Sequence, residues 1–256
     1  MSGWWSRWRE SRALERRAIP DALWQETLAH FPFLGWRSDE DVIELRRLSA
    51  LFLDRKEFSG AHGLEVDDAM AVAIAAQACL PVLRLGLEAY DGFVGIVVHA
   101  DAVVAEREVT DEHGIVHEYE EELAGEAMQG GPIMLSWHDV AGAGTSADWG
   151  YNVVIHEFAH VLDMQNGAAD GMPPLAGRAA MAHWAMVMEA QYARFCKRVD
   201  GGGYTLLDPY GATGVDEFFA VASETFFVAP LDLKDEHAPL YDLFVGYYRQ
   251  DPAARA

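Results

Sequence analysis

Val42, Leu45, Leu48, Leu51 and Phe52 place apolar side chains at intervals of three or four along one stripe. Ser38 followed by Asp39, Glu40 and Asp41 marks a helix start, and residues 21–56 read as helical. A second apolar helix is expected over residues 66–79, with Asp67 and Asp68 at the positive end of its dipole. The apolar stretch Ala69–Leu87 is interrupted by Gln77, Pro81 and Arg84, so it reads as a buried helix and the start of a strand, not as a membrane span.

The period then changes. Gly92–Val98 reads as a buried strand, and Val103–Val109 and Ile115–Glu121 flank Asp111-Glu-His-Gly114 as a hairpin flanks its turn. Pro132–Trp137 is a further strand, expected at the sheet edge where an extended peptide can add, and the Gly-rich loop Gly142–Gly150 ends it. Helices follow over Tyr151–Gln165, Gly177–Arg198, Val215–Val228 and His237–Arg249. Helices, a small mixed or antiparallel sheet and helices again predict the α+β class. The expected organisation is a basic arm over residues 1–20 and one domain over 21–256, helical over 21–90 with the chemistry in 91–256.

A chain of 256 residues with 51% hydrophobic composition can bury one sizeable core. Its net charge of −22 repels phosphate backbones and argues against direct nucleic-acid binding. The arm runs against that balance, with Arg7, Arg9, Arg12, Arg16 and Arg17 facing only Glu10 and Glu15. It reads as a solvated helix face that Trp4, Trp5 and Trp8 pack onto the body. Cys79 and Cys196 stand far apart without a CxxC spacing, as buried free thiols do in a reducing compartment. Charges recur through residue 17, so no continuous apolar signal segment opens the chain and a cytoplasmic protein is expected.

His156-Glu157-Phe-Ala-His160 matches HExxH. Two histidines four apart on a helix stand one above the other, with Cβ atoms about 6 Å apart, so both can reach one tetrahedral ion. The Glu157 carboxylate beside them can take a proton from water on that ion. The surrounding segment Val153–Leu162 is otherwise apolar, while Asn152, His156, His160 and Asp163 fall along one line. A buried helix carries such a stripe only when something pairs with it, and a metal meets that need. Asp163 is placed to accept the free ring N–H of a ligand histidine, and Gly167 to end the helix as a left-handed cap. His113 and His117 are also four apart, but they straddle the hairpin turn and read as surface residues.

A catalytic zinc needs a third protein ligand and an open position. Asp163 and Asn166 stand where the extended metzincin pattern requires Gly and His, which excludes that class. The apolar helix Val215–Phe227 offers Glu217 and Glu224 on one face, and position alone does not choose between them. Glu189, Asp208 and Asp170 are weaker rivals in more polar surroundings.

Phe31-Pro-Phe-Leu34, Pro132–Trp137, Val154–Met164, the Glu217–Phe227 helix and Tyr247-Tyr-Arg-Gln-Asp-Pro252 together resemble the Mlc titration factor A family of bacterial zinc peptidases, related to the anthrax lethal factor catalytic domain. The resemblance covers nearly the whole chain. It implies a zincin-like (gluzincin) fold with one Zn2+ ligated by His156, His160 and Glu217, and Glu157 as general base. It further implies that Tyr210 stabilises the oxyanion and that Glu224 supports the site from behind. The implied activity is aminopeptidase-type hydrolysis of peptides, with binding of the glucose repressor Mlc or a comparable regulator. The competing expectation is a non-catalytic titration factor whose metal site is structural or regulatory.

Overall fold

Pro32 divides the first helical stretch, because the residue before a proline is pushed out of the helical region. The computed structural model describes residues 3–110, 116–146 and 150–255, with the backbone alone at 3–7, 104–110, 116–123 and 145–146. Helix α1 (Gly3–Arg16) is followed by α2 (Asp21–His30), a short 3-10 helix (Pro32–Gly35) and α3 (Asp39–Arg55). The Ser38 side chain caps α3 by accepting from the Asp41 N–H. Helix α1 packs on α3 through buried Ala13 and through Glu10–Arg47 and Arg16–Asp54 ion pairs. Trp8 is 46% exposed, with the Arg12 guanidinium over its ring. The side chains of Trp4 and Trp5 lie outside the described residues.

The strands are β1 (Glu57–Gly60), β2 (Gly95–His99), β3 (Val103–Thr110), β4 (Val116–Leu123), β5 (Gly125–Ala127) and β6 (Ile133–Ser136). They form a mixed sheet in the order β1-β2-β6-β5 and an antiparallel β3–β4 ribbon. The predicted turn Asp111–Gly114, His113 and the His117 side chain lie outside the described residues. Strand β1 escaped the sequence reading because four residues are too few to display a period. It runs parallel to β2, and α4 (Asp68–Cys79), capped by Asp67, lies in the connection between them.

Three local expectations are corrected. No strand starts before Leu87: the chain turns after Leu80 and enters a 3-10 helix at Leu87–Tyr90. Strand β6 is internal, between β2 and β5, so the edge beside the later helices belongs to β5. The segment expected as a glycine-rich loop begins as α5 (Trp137–Ser146). Its Gly144 answers a packing need, since a Cβ there would sit 2.1 Å from the His30 carbonyl oxygen.

The remaining helices are α6 (Val153–Asp163), α7 (Arg178–Asp200), α8 (Val215–Val228), α9 (Pro230–Glu236) and α10 (Ala238–Tyr248). Helix α6 runs on as a 3-10 turn to Asn166, and Gly167 follows at φ 149, ψ −140, which is not the left-handed helical cap expected. Aromatic rings fix the two helices that matter most. Phe158 of α6 packs on Phe52, Tyr90 and Phe93. Phe219 and Phe226 of α8 pack on Trp184, Phe244 and Tyr248. The buried Lys56 ammonium donates to the Tyr90 and Phe93 carbonyls and so pins the first ring cluster. Cys79 is buried and Cys196 half-buried, and both are free. Among the described residues, no helix is long and apolar enough to cross a membrane.

Candidate metal centre

Helix α6 begins where the Asn152 side chain accepts from the Ile155 N–H, and its inner face packs against α8. That packing brings one turn of each helix together. His156 Nε2 lies 3.2 Å from His160 Nε2 and 3.1 Å from Glu217 Oε2, and His160 Nε2 lies 3.4 Å from the same oxygen. Glu224, about two turns further along α8, lies behind the histidine instead: its Oε1 is 2.7 Å from His156 Nδ1, and its Oε2 accepts from the Asn152 N–H. The two acidic positions that sequence spacing left open thus occupy different places, Glu217 facing the imidazole pair and Glu224 behind it.

The hydrogen bonding decides what this cluster can hold. A carboxylate oxygen only accepts, so His156 Nδ1 carries the ring proton and donates to Glu224. The neutral ring then presents the Nε2 lone pair toward Glu217 and His160. Three lone pairs converging on one point repel unless a cation stands between them. The spacing suits a metal: tetrahedral coordination at bond lengths of about 2.0–2.1 Å separates neighbouring donors by about 3.3 Å. His156, His160 and Glu217 form the metal-competent group found among the described residues, with donor atoms all within 4.8 Å of one another.

The carboxylates pull positive charge to the same point, either as a proton on the ring or as a cation that takes that proton's place. Burial opposes a charged His156, but Glu224 and Glu217 outweigh it and hold its pKa well above the imidazole value. Burial pushes the Glu217 carboxyl up, yet hydrogen bonds with His156 and His160 outweigh that and hold it at about 2. Both shifts favour positive charge at the centre of the cluster. Glu157 is different: it is 5% exposed, and burial pushes its pKa up to about 7, in the range suited to taking and returning a proton.

These groups open into a cleft of about 370 Å³, walled on one side by residues 124–127 and on another by Tyr210, Asp208 and Asp216. Tyr210 stands on the 3-10 helix Pro209–Ala212 with its ring centre 6.3 Å from that of His156. Asp208 caps that turn by accepting from the Tyr210 N–H, Asp170 accepts from the Met172 N–H, and Glu189 is exposed on α7, so none of the three joins the cluster. Asp163 does not support a histidine as expected. Its Oδ2 accepts from the N–H groups of Asp170 and Gly171, tying that loop down beside Val215.

Two features were not anticipated. Gly125 of β5 packs directly on the Glu157 carboxylate, where a Cβ would lie 2.6 Å from Oε1. Asn152 is joined to Gln77 of α4 through a buried 2.7 Å amide hydrogen bond. Gln77 was visible in the sequence as the polar break in an apolar stretch, whereas Gly125 carried no local signal.

A family profile described as "Glucose-regulated metallo-peptidase M90" matches residues 5–249. "Mlc titration factor A" of Cronobacter sakazakii is 37% identical over 247 residues, 95% of this chain and 92% of that protein. The protein of the same name from Salmonella arizonae is 36% identical over 95% of this chain and 97% of its own length. "Uncharacterized protein slr2042" of Synechocystis sp. is 36% identical over 251 residues, 97% of this chain and 90% of that protein.

Proposed function

We propose that this chain, which belongs to the glucose-regulated metallo-peptidase M90 family, hydrolyses peptide bonds with one zinc ion held by His156, His160 and Glu217. The observation that carries the reading is the convergence of those three donors at one end of a cleft whose wall holds Glu157. A bound zinc would supply Lewis acidity, polarising a carbonyl and bringing the pKa of water to about 7. In this reading residues 21–256 are one zincin-like (gluzincin) peptidase domain behind the arm of residues 1–20.

The chain's own residues do the rest. Glu157 takes the proton of the attacking water and returns it to the departing amine. The Tyr210 hydroxyl donates to the oxygen that gains charge as the carbonyl becomes tetrahedral. Strand β5 pairs antiparallel with β6 on one side and lines the cleft with the other, so an extended peptide laid against it reaches Glu157.

An aminopeptidase specificity is supported by Glu126, Asp208 and Asp216, which add negative charge to the cleft and match a free N-terminal ammonium. Matched peptides with free and acetylated N-termini test it. Zinc-loaded protein should release the N-terminal residue of the free peptide with kcat/KM about tenfold or more above the acetylated one. A chelator should abolish the reaction and zinc restore it. Equal cleavage of both peptides would contradict the aminopeptidase assignment.

The names of the relatives favour a second reading beside the first: titration of Mlc or a similar regulator. The net charge of −22 complements a basic partner, and a cytoplasmic location accords with a transcription regulator as that partner. In this second reading binding proceeds without hydrolysis, with the metal in a structural or regulatory role.

A further inference from the structure

Beyond Asp68 in its first turn, helix α4 is apolar except at Gln77, which is fully buried. An amide taken from water without partners is costly to bury, so a lone glutamine in such surroundings requires an account. Its Nε2 donates to the Ala73 carbonyl at 3.1 Å, and its Oε1 accepts from Asn152 Nδ2 at 2.7 Å. The other end of the Asn152 amide, Oδ1, accepts from the Ile155 N–H at 2.9 Å. Both ends of that side chain are therefore fixed, and residue 152 is held at φ −157, ψ 99. In this conformation its own N–H donates to Glu224 Oε2 at 2.5 Å, while Glu224 Oε1 accepts from His156 Nδ1.

We propose that Gln77 is a positioning residue for the metal centre, acting through Asn152 and Glu224 on the ring of His156. This inference rests on the metal-centre reading above. The chain of four groups crosses from α4 through the start of α6 to α8 and back to α6, and Gln77, Asn152 and Glu224 are all at most 2% exposed. Water therefore cannot replace a missing link at little cost. Glu224 has one carboxylate oxygen for the histidine and one for the backbone of residue 152, so a shift at residue 152 reaches the imidazole. Groups behind a ligand histidine typically govern metal affinity by 10- to 100-fold. Two residues in the same chain should also act as one unit, giving non-additive effects.

The test is zinc affinity by chelator competition on the full chain, with thermal unfolding measured in parallel. Gln77→Met keeps length and helix propensity but removes both hydrogen bonds. Asn152→Ser keeps a hydroxyl to cap α6 and removes only the reach to Gln77. Each should weaken zinc binding about tenfold or more, and the double variant should lose little beyond either single one. Gln191→Met, which removes another buried glutamine bonded to His237, should lower the unfolding temperature without moving zinc affinity. Should Gln77→Met fail to fold, Asn152→Ser alone decides the question. Zinc affinity within twofold of wild type in Asn152→Ser, or an equal loss in Gln191→Met, would overturn the inference while leaving the centre intact. Undiminished zinc binding by His156→Ala would instead overturn the centre, and the inference with it.

Discussion

Glu157→Gln should remain folded and hold zinc while peptide hydrolysis falls by a factor on the order of 10²–10⁴. The amide preserves the shape of a side chain that is buried and tightly packed, so structure changes little. It cannot accept the proton of the attacking water, and that single loss removes general-base catalysis. Glu157 also lies outside the group of donors that meet at the cluster, so metal content should be unchanged. Single-turnover and steady-state hydrolysis, with metal analysis of the same sample, measure both quantities. Binding of a basic regulator that survives the substitution would separate titration from hydrolysis. Activity within tenfold of wild type would remove Glu157 from the proton-transfer role.

Gly125→Ala should be nearly as damaging, although no polar group is lost. An added Cβ would lie 2.6 Å from Glu157 Oε1, 2.7 Å from Cγ and 2.8 Å from Cδ. Contacts that short force a displacement, and the side chain that must move is Glu157, out of its place in the cleft wall. A misplacement of about 1 Å at a reacting group costs on the order of 100-fold in rate. The expectation is a fall in kcat of about that size with zinc content and KM close to wild type. An unchanged kcat would show that Glu157 works from another position or not at all.

The centre was legible in the sequence to different depths. HExxH is a local pattern on one helix, so its geometry follows from 3.6 residues per turn. The third donor is 57 residues beyond His160 in the chain. Spacing named Glu217 and Glu224 as equals, and only the packing of α6 on α8 sets one before the imidazoles and the other behind them. Strand β5 was missed because three residues carry no period, and its glycine matters through contact with a residue 32 positions later. The misplaced edge has the same origin: Ile133–Ser136 reads as a strand from its own residues, but its neighbours are set by pairing at long range. Asp163 sits on the stripe as expected, yet its carboxylate turns to two backbone N–H groups that no periodicity reveals.

Metal analysis of purified wild type, His156→Ala and Glu217→Ala after exhaustive dialysis tests the convergence on which the account depends. Wild type should hold one zinc per chain, and each variant should hold essentially none. A stoichiometric zinc retained by Glu217→Ala would contradict the assignment and move the third donor to another residue.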